Sequence, residues 1–387
     1  MPRSRVYVNS VGMTTVADHW ESSILDLAVE ASRGALKGFG KKHPDQIIVG
    51  NMFSAVGARQ EHLGAMLASG LGLTGTPAFK VESACSSGGS AFNVGYNLVR
   101  SGAIDSALVV GVEKMRDLEP EDVSQALAMA ESAEYTQFVG ATFAALNGLL
   151  ARYYMEQMDV SRDELSSIPV IDHSNAVTAA HAQFRKAITP EVVSRSAMIS
   201  DPLRLFDCAP VGDGAAAVLL VNDRAASGTK RKMAEVLGGR MATNDFSLYE
   251  RDDMLDFKST RLAFKGAMDD SGLTPAKISF AELHDAFSVV GALSLEAMGY
   301  SKRGRASKDA KAGKYGRGSE LPINTFGGLK ARGHPVGATG VYQIAEAYLQ
   351  LTGQAGKNQV EGAEYGVTQN VGGVDTTAAV HVFGRAS

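Results

Sequence analysis

Cysteine is nearly absent from this chain: there are two in 387 residues, Cys85 and Cys208. Two thiols cannot build a disulfide framework or a four-cysteine zinc site. An excess of either charge is also missing. Lys and Arg number 38 against 42 Asp and Glu, a net charge of −4, which argues against a nucleic-acid binder held by bulk charge. No apolar run reaches the ~18 residues of a membrane span. The opening MPRSRVYVNSVGM has no apolar signal-peptide core. These absences lead us to expect a cytoplasmic chain with neither membrane nor nucleic acid as partner. His19, His43, His62, His173, His181 and His381 show no metal-ligand spacing, so no metal is expected and these six read as surface or structural.

The composition that remains, 45% hydrophobic and 21% charged, is that of a globular chain able to bury large cores. It excludes disorder, collagen and coiled coil. The length fits two or three domain-sized units, or one large α/β unit built from two halves. Glycine stands out at 42 residues, about 11% where about 7% is usual. Many of these glycines sit in pairs beside Ser, His or Asn, which points to turns and to backbone close to a ligand.

Periodicity predicts strands at Val6–Val11, Gln46–Val49, Phe79–Ser83 and Ser106–Val112, with helices at Trp20–Leu36, His62–Leu71 and Ala91–Arg100. This alternation predicts a largely parallel sheet covered on both faces. Residues from about 116 to 205 read as a helical and loop insertion. Phe206–Val221 returns to strand, Lys230–Gly239 reads as linker plus strand, and Thr260–Ser271 as helix. Ile278–Leu283 is a strand leading into His284, Ser301–Glu320 a basic Gly-rich loop, Val341–Leu351 a helix, and Tyr365–Phe383 two last strands. GDGAAAVLLV at 212–221 resembles GGVDTTAAVHVF at 372–383, a weak repeat that predicts two similar halves. We place them at 1–240, including the insertion, and 241–387.

Four stretches carry chemistry. In Val81-Glu-Ser-Ala-Cys85-Ser-Ser-Gly-Gly-Ser90 a thiol opens a helix after a strand. Free N–H groups and the dipole there favour thiolate, so Cys85 reads as a thioester-forming nucleophile, with a buried structural thiol as the alternative. Cys208, in Phe-Asp-Cys-Ala-Pro with no helix start following, reads as structural. In Leu283-His284-Asp285-Ala-Phe287 a strand-end histidine could bond a carbonyl or shuttle a proton, while Asp285 reads as an orienting group. Asn324-Thr-Phe-Gly-Gly-Leu-Lys-Ala-Arg-Gly-His334-Pro-Val-Gly-Ala-Thr-Gly340 surrounds one histidine with backbone constraint before a helix, placing it to activate a thiol or bind an oxyanion. Gln369-Asn370-Val-Gly372-Gly373, read as lying between two strands, could offer oxyanion-hole N–H groups. Gly212-Asp-Gly214-Ala-Ala-Ala217 mimics a dinucleotide fingerprint, but a strand follows it.

Taken together, in this order, these stretches resemble the thiolase superfamily over essentially the whole chain. The resemblance implies an α/β fold: a five-layered αβαβα sandwich of two similar halves with an inserted loop domain. It implies acylation of Cys85 by acyl-CoA, with His334 as activator of the thiol. It further implies His284 at the oxyanion-hole position and Cys85 and Gly372 as backbone oxyanion donors. His-Asp-Ala-Phe resembles the His-Asp-Cys-Phe of sterol-carrier-protein-type and archaeal thiolases. The second, acid/base cysteine of ordinary thiolases has no counterpart, for Asn370 and Ala286 occupy its two known positions. An amide has no usable pKa, so either His284 or His334 takes the α-proton or the chain does not perform the full condensation. The Asn-x-Gly-Gly ending resembles archaeal-type thiolases of the mevalonate route and implies acetyl-CoA C-acetyltransferase activity. Implied with it are coenzyme A thioesters as substrates, no resident cofactor and a homo-oligomer. A complex with HMG-CoA synthase and an OB-fold/zinc-ribbon bridging protein is implied too. The alternatives are a degradative 3-ketoacyl-CoA thiolase and a non-catalytic acyl-CoA or lipid-binding scaffold. Ser301–Arg317 is weighed as a solvated loop against a steerer of CoA phosphates, and Ala126–Met155 as core against a pantetheine tunnel.

Overall fold

The structure, a computed structural model, describes residues 4–41, 43–229 and 231–386. Lys230, which opens the Lys230–Gly239 segment, and the outermost residues of the two expected halves lie outside them. Nine strands form one sheet: β1 Val6–Met13, β2 Gln46–Gly50, β3 Ala78–Val81, β4 Ser106–Glu113, β5 Gly214–Asn222, β6 Ala234–Thr243, β7 Phe280–Glu282, β8 Tyr365–Gly372 and β9 Thr377–Arg385. Their order is β3-β2-β4-β5-β1-β6-β9-β8-β7. At the β1–β6 seam, among the described residues, only Tyr7–Glu235 and Val8–Ala234 pair, so the sheet divides there into two portions.

Helices stack on these portions in layers. Helices α1 (Ile24–Leu36) and α2 (Leu63–Gly70) cover the outer face of the first. Helices α3 (Ser87–Arg100) and α6 (Thr339–Thr352) lie between the two. Helices α4 (Lys258–Ser271) and α5 (Ser288–Ala297) cover the far face of the second. The result is the five-layered αβαβα sandwich. Strand β4 shows why these segments fold so. Leu108, Val110 and Val112 pack with α1, while Ala107 and Val109 pack with the central helices. The side-chain period of two thus presents apolar groups to both faces, each Val or Leu contributing about 1.5–3 kcal/mol when buried.

The sheet is mixed, not largely parallel. Strands β3, β2 and β4 run parallel, as do β7 and β8, but the five other pairings are antiparallel. A strand buried on both faces reads the same in either direction, so composition could not tell the two apart. The repeated segments do occupy corresponding strands: β5 pairs antiparallel with β4 as β9 does with β8.

Helix α1 starts at Ile24, not Trp20. Ser23 and Asp26 form a capping box, with Asp26 N–H donating to Ser23 Oγ and Ser23 N–H to Asp26 Oδ2; this stops the helix there and leaves Trp20 exposed. The strand expected from Phe206 begins only at Gly214. Asp207 Oδ2 accepts from Arg204 N–H and Oδ1 from Ser288 Oγ, which bends the segment into a turn. Ser301–Glu320 is not all loop, since Ala306–Lys311 is helical. Its cations are largely engaged: Arg303 with Asp253, Lys311 with Asp163, Lys314 with Asp309. The inserted segment holds helices Pro120–Ala128, Phe143–Met158 and Ser167–Ala176 and a short hairpin, Met198–Ser200 with Leu203–Arg204. Its Leu150, Tyr154 and Ile168 share a core with Val289 and Leu293 of α5. Among the described residues no helix is long and apolar enough to cross a membrane.

His381 on β9 is buried against Phe92 with Nε2 unpartnered, and burial pushes its imidazole from 6.5 down to about 3. Its folded pKa lies below its unfolded one, so stability is intact above pH 6.5 and falls as acid protonates the unfolded chain first. We predict that His381→Phe, followed by urea denaturation, reduces the stability lost between pH 7 and pH 4 by up to about 3 kcal/mol.

Candidate active site

The Cys85 turn is built by a strained residue. Ala84 has φ +51°, a left-handed conformation that costs a non-glycine residue about 1–2 kcal/mol. Its N–H is held by Glu82 Oε1 at 2.5 Å, and Ser86 takes the N-cap position of α3 immediately after the thiol without a side-chain cap bond. Strand, strained turn and helix together lift the thiol onto the start of the central helix.

The four motifs converge there. The last is not between strands: Gln369–Gly372 completes β8, with Gly373 at φ +63° opening the turn. A Cβ on Gly372 would collide with the Ser83 carbonyl, so glycine alone lets this strand end lie against the Cys85 turn. Ser86 Oγ donates to the Asn370 carbonyl at 3.2 Å. The His284 and His334 rings meet edge to face with centroids 5.1 Å apart. His284 N–H donates to Gln369 Oε1 at 2.8 Å. His334 Nδ1 lies 2.7 Å from Thr339 Oγ1, and Val336, two residues on, packs with Cys85, Phe53 and Met115.

Asn370 joins these pieces. Its Oδ1 accepts from Gly89 N–H at 3.0 Å, its Nδ2 donates to the Cys85 carbonyl at 3.2 Å, and Nδ2 lies 3.0 Å from His284 Nδ1. The amide occupies a gap between α3 and α6 that exists because Gly89 and Gly340 carry no Cβ; one built on Gly340 would overlap Asn370 Oδ1 and Gly89 N.

Sequence reasoning missed Glu113, Thr339 and the strain at Ala84. Glu113 ends the apolar strand β4, and a carboxylate closing such a run was the available signal. It accepts from Met52 and Phe53 N–H, both at 3.0 Å, from Gly337 N–H at 2.8 Å and from Asn51 Nδ2 at 2.5 Å, pinning the turn after His334 to the β2 end. Asp285 accepts from Leu329 N–H at 2.8 Å and pairs with Lys330, an orienting role. Burial pushes its carboxyl up, but Lys330 and hydrogen bonds from Asp172 and Leu329 outweigh that and hold it below the usual range.

Water is nearly excluded: Cys85 is 4% exposed, His284 2% and His334 8%. Burial, then the Glu113 charge, pushes the Cys85 thiol from 9.0 up to about 12. The expected thiolate bias of the helix start is therefore overturned. A shift of three pH units is about 4 kcal/mol, against about 0.3–1 kcal/mol for a helix terminus. Burial lowers His334 to about 3 and puts His284 well below 6.5, so both imidazoles are neutral at neutral pH. The resting site holds a thiol and two neutral bases. Cys208 is no substitute second thiol. Its backbone bridges to Phe287 beside Ala286, but its Sγ donates to the Arg204 carbonyl at 3.5 Å and burial pushes it to about 12. A cavity of about 500 Å³ lined by Val56, Leu118, Ala126 and Met129 among others shares Ala126 with the apolar cluster around Cys85. Ala126 thus serves core and cavity wall together. Among the described residues no cluster of His, Cys, Asp or Glu could hold a metal.

Comparison with known proteins bears on this geometry. Residues 6–224 match the family model described as thiolase, N-terminal domain, and 241–385 that described as thiolase C-terminal domain-like. The chain is 40% identical to acetyl-CoA acetyltransferase of Methanothermobacter thermautotrophicus, covering 98% of this chain and 99% of the relative. It is 31% identical to sterol carrier protein 2 of Homo sapiens, covering 95% and 70%. Among solved structures, an Ltp2-ChsH2(DUF35) aldolase superposes with a TM-score of 0.86 at 22% identity, over 100% of this chain and 99% of the other. Human mitochondrial 3-ketoacyl-CoA thiolase superposes at 0.76 and 18% identity over 100% of both. These last two likenesses concern the fold alone.

At pH 8 both cysteines are predicted to react with iodoacetamide at least about tenfold more slowly than free cysteine, from their raised pKa values; peptide mass mapping over time measures this. Gly340→Ala is predicted to cost about 1–3 kcal/mol by overpacking the gap. Gly316→Ala, in open space, should change stability by less than about 0.5 kcal/mol. Chemical denaturation checks both.

Proposed function

The chain belongs to the thiolase family and is an acyltransferase, and on that premise we propose that it condenses two acetyl-CoA into acetoacetyl-CoA and CoA through acetyl-Cys85. The observation that carries this reading is a single buried thiol on a strained turn, within one knot of contacts that also holds two neutral imidazoles. In the first half-reaction His334 takes the thiol proton as sulfur attacks the acetyl carbonyl. The C–S bond to CoA breaks, and CoA leaves with that proton. Exchange of one thioester for another loses little free energy, and a neutral base paired with a high-pKa thiol means that the ion pair forms only with substrate in place. In the second half-reaction a proton leaves the methyl carbon of a second acetyl-CoA. That carbon bonds to the acetyl-Cys85 carbonyl, and the Cys85 sulfur departs and is reprotonated. The N–H groups of Cys85 and Gly372 stabilise the tetrahedral oxyanions.

The finer parts of the reading rest on the family and on chemistry. Full-length relatedness to an archaeal acetyl-CoA acetyltransferase supports the short acyl chain, and the Asn-x-Gly-Gly ending, which resembles archaeal-type thiolases of the mevalonate route, is the ground for a place in that route to isoprenoids. Two free cysteines accord with a reducing cytoplasm. No resident cofactor is invoked, for coenzyme A thioesters are the substrates. The division at 240/241 into two halves with the insertion about 116–205, and a homo-oligomer, are part of the proposal. Condensation is uphill, so a complex with HMG-CoA synthase through an OB-fold/zinc-ribbon bridging protein would draw product forward. The solved neighbour paired with a DUF35 protein is in keeping with a bound partner.

Incubation with acetyl-CoA followed by peptide mass spectrometry is predicted to place one acetyl group on Cys85. Cys85→Ala is predicted to lower acetoacetyl-CoA thiolysis by about 10³-fold or more. Binding without an adduct would favour the scaffold reading, and preference for long 3-ketoacyl-CoA the degradative one.

A further inference from the structure

We propose that Asn370 is a positioning residue that locks His284 in the tautomer with its proton on Nε2, making His284 a hydrogen-bond donor to substrate oxygen and leaving His334 as the base. The orientation of the Asn370 amide is set by partners that cannot change roles. Gly89 N–H can only donate, so the atom 3.0 Å away is Oδ1. The Cys85 carbonyl can only accept, so the atom 3.2 Å away is Nδ2. The NH₂ group has two hydrogens. One goes to the Cys85 carbonyl, and the other faces His284 Nδ1 at 3.0 Å. Nδ1 must then accept, and a neutral imidazole that accepts at Nδ1 carries its hydrogen on Nε2. Helices α3 and α6 hold the amide against rotation through the glycine gap at Gly89 and Gly340.

His334 receives the opposite assignment. Thr339 Oγ1 lies 3.2 Å from the Pro335 carbonyl and 2.7 Å from His334 Nδ1; we assign its one hydrogen to the carbonyl, so that Oγ1 accepts from His334 Nδ1. The His334 lone pair is then on Nε2. Two imidazoles in edge-to-face contact thus hold complementary roles, set by an amide and a hydroxyl. The residue that replaces the missing thiol base does not replace its chemistry; it decides which histidine can act. In the condensation, His334 Nε2 takes the α-proton of the second acetyl-CoA. The electron pair of that C–H bond forms the new C–C bond to acetyl-Cys85 while His284 Nε2–H bonds the thioester oxygen of the enolising acetyl-CoA. The His334 proton then passes to the departing Cys85 sulfur.

The catalytic half of this inference rests on the acetyl transfer proposed above; the tautomer does not. The test is ¹⁵N NMR of protein labelled at histidine, with His284 signals assigned by loss in His284→Gln. We expect wild-type His284 neutral with its proton on Nε2. In Asn370→Asp, whose carboxylate accepts, the proton should move to Nδ1. Condensation kcat in that variant should fall by at least about 100-fold, with KM for acetyl-CoA changed by less than about threefold; loss of one oxyanion donor costs this much elsewhere. A wild-type His284 protonated on Nδ1 overturns the proposal without any variant. So does a folded Asn370→Asp with unchanged tautomer, or one with shifted tautomer and undiminished kcat. Absence of acetoacetyl-CoA from the wild type, with the Nε2–H signal as expected, would instead refute the acetyltransferase reading and leave the tautomer assignment standing.

Discussion

The close approach of α3 and α6 is the constraint on which this molecule depends. Gly88 and Gly89 on one helix face Gly337 and Gly340 at the start of the other, and a single Cβ there would overlap backbone or Asn370. The gap is wide enough for one primary amide. That amide bonds α3, the Cys85 carbonyl and His284 at once. Three segments far apart in sequence, around residues 85, 284 and 370, are thereby held in one place, and the 334–340 turn closes over them. Without the glycines the helices would stand apart and the four motifs would be four unrelated turns.

The second theme is the dryness of the site. Burial raises the thiol, lowers both imidazoles and lifts Glu113 to about 7 despite its hydrogen bonds. The thiol, both imidazoles and Glu113 are all pushed toward their neutral forms, as desolvation requires. The thiol and the two imidazoles store no ion pair among themselves at rest, while the charged Lys330–Asp285 pair lies behind them. In the proposed acetyl transfer, charge develops only when the thioester arrives, and fixed N–H donors then act with little competition from water. The cost is borne by the fold as acid sensitivity, because neutral buried histidines favour the folded state only while the unfolded chain is unprotonated too.

Much of this architecture was legible beforehand. Apolar runs of four to eight residues located most strands. Glycine-rich turns beside Cys85 and His334 pointed to the candidate site, and the 212–221 and 372–383 likeness located corresponding strands. Other features were hidden for physical reasons. Strand direction leaves no mark on a segment buried on both faces, so the mixed sheet read as parallel. Helix α1 was read four residues too long because apolar spacing outweighed the Ser23–Asp26 box. The thiolate bias at Cys85 was expected because a helix terminus is visible in sequence, whereas desolvation depends on what packs around it. In sequence Asn370 reads as a vacancy, since its value lies in partners 86, 281 and 285 residues away.

The sequence by itself determined the inventory: which side chains can attack, accept a proton or offer a backbone donor, and where glycine permits the chain to turn. Those follow from covalent chemistry and local sterics, which do not depend on distant residues. Only the tertiary structure decided which nitrogen of His284 holds its proton, that Cys85 rests as a thiol, and that an amide in place of a thiol becomes a brace. Each of these is a property of neighbours and of excluded water, and neighbours across hundreds of residues exist only once the layers have closed.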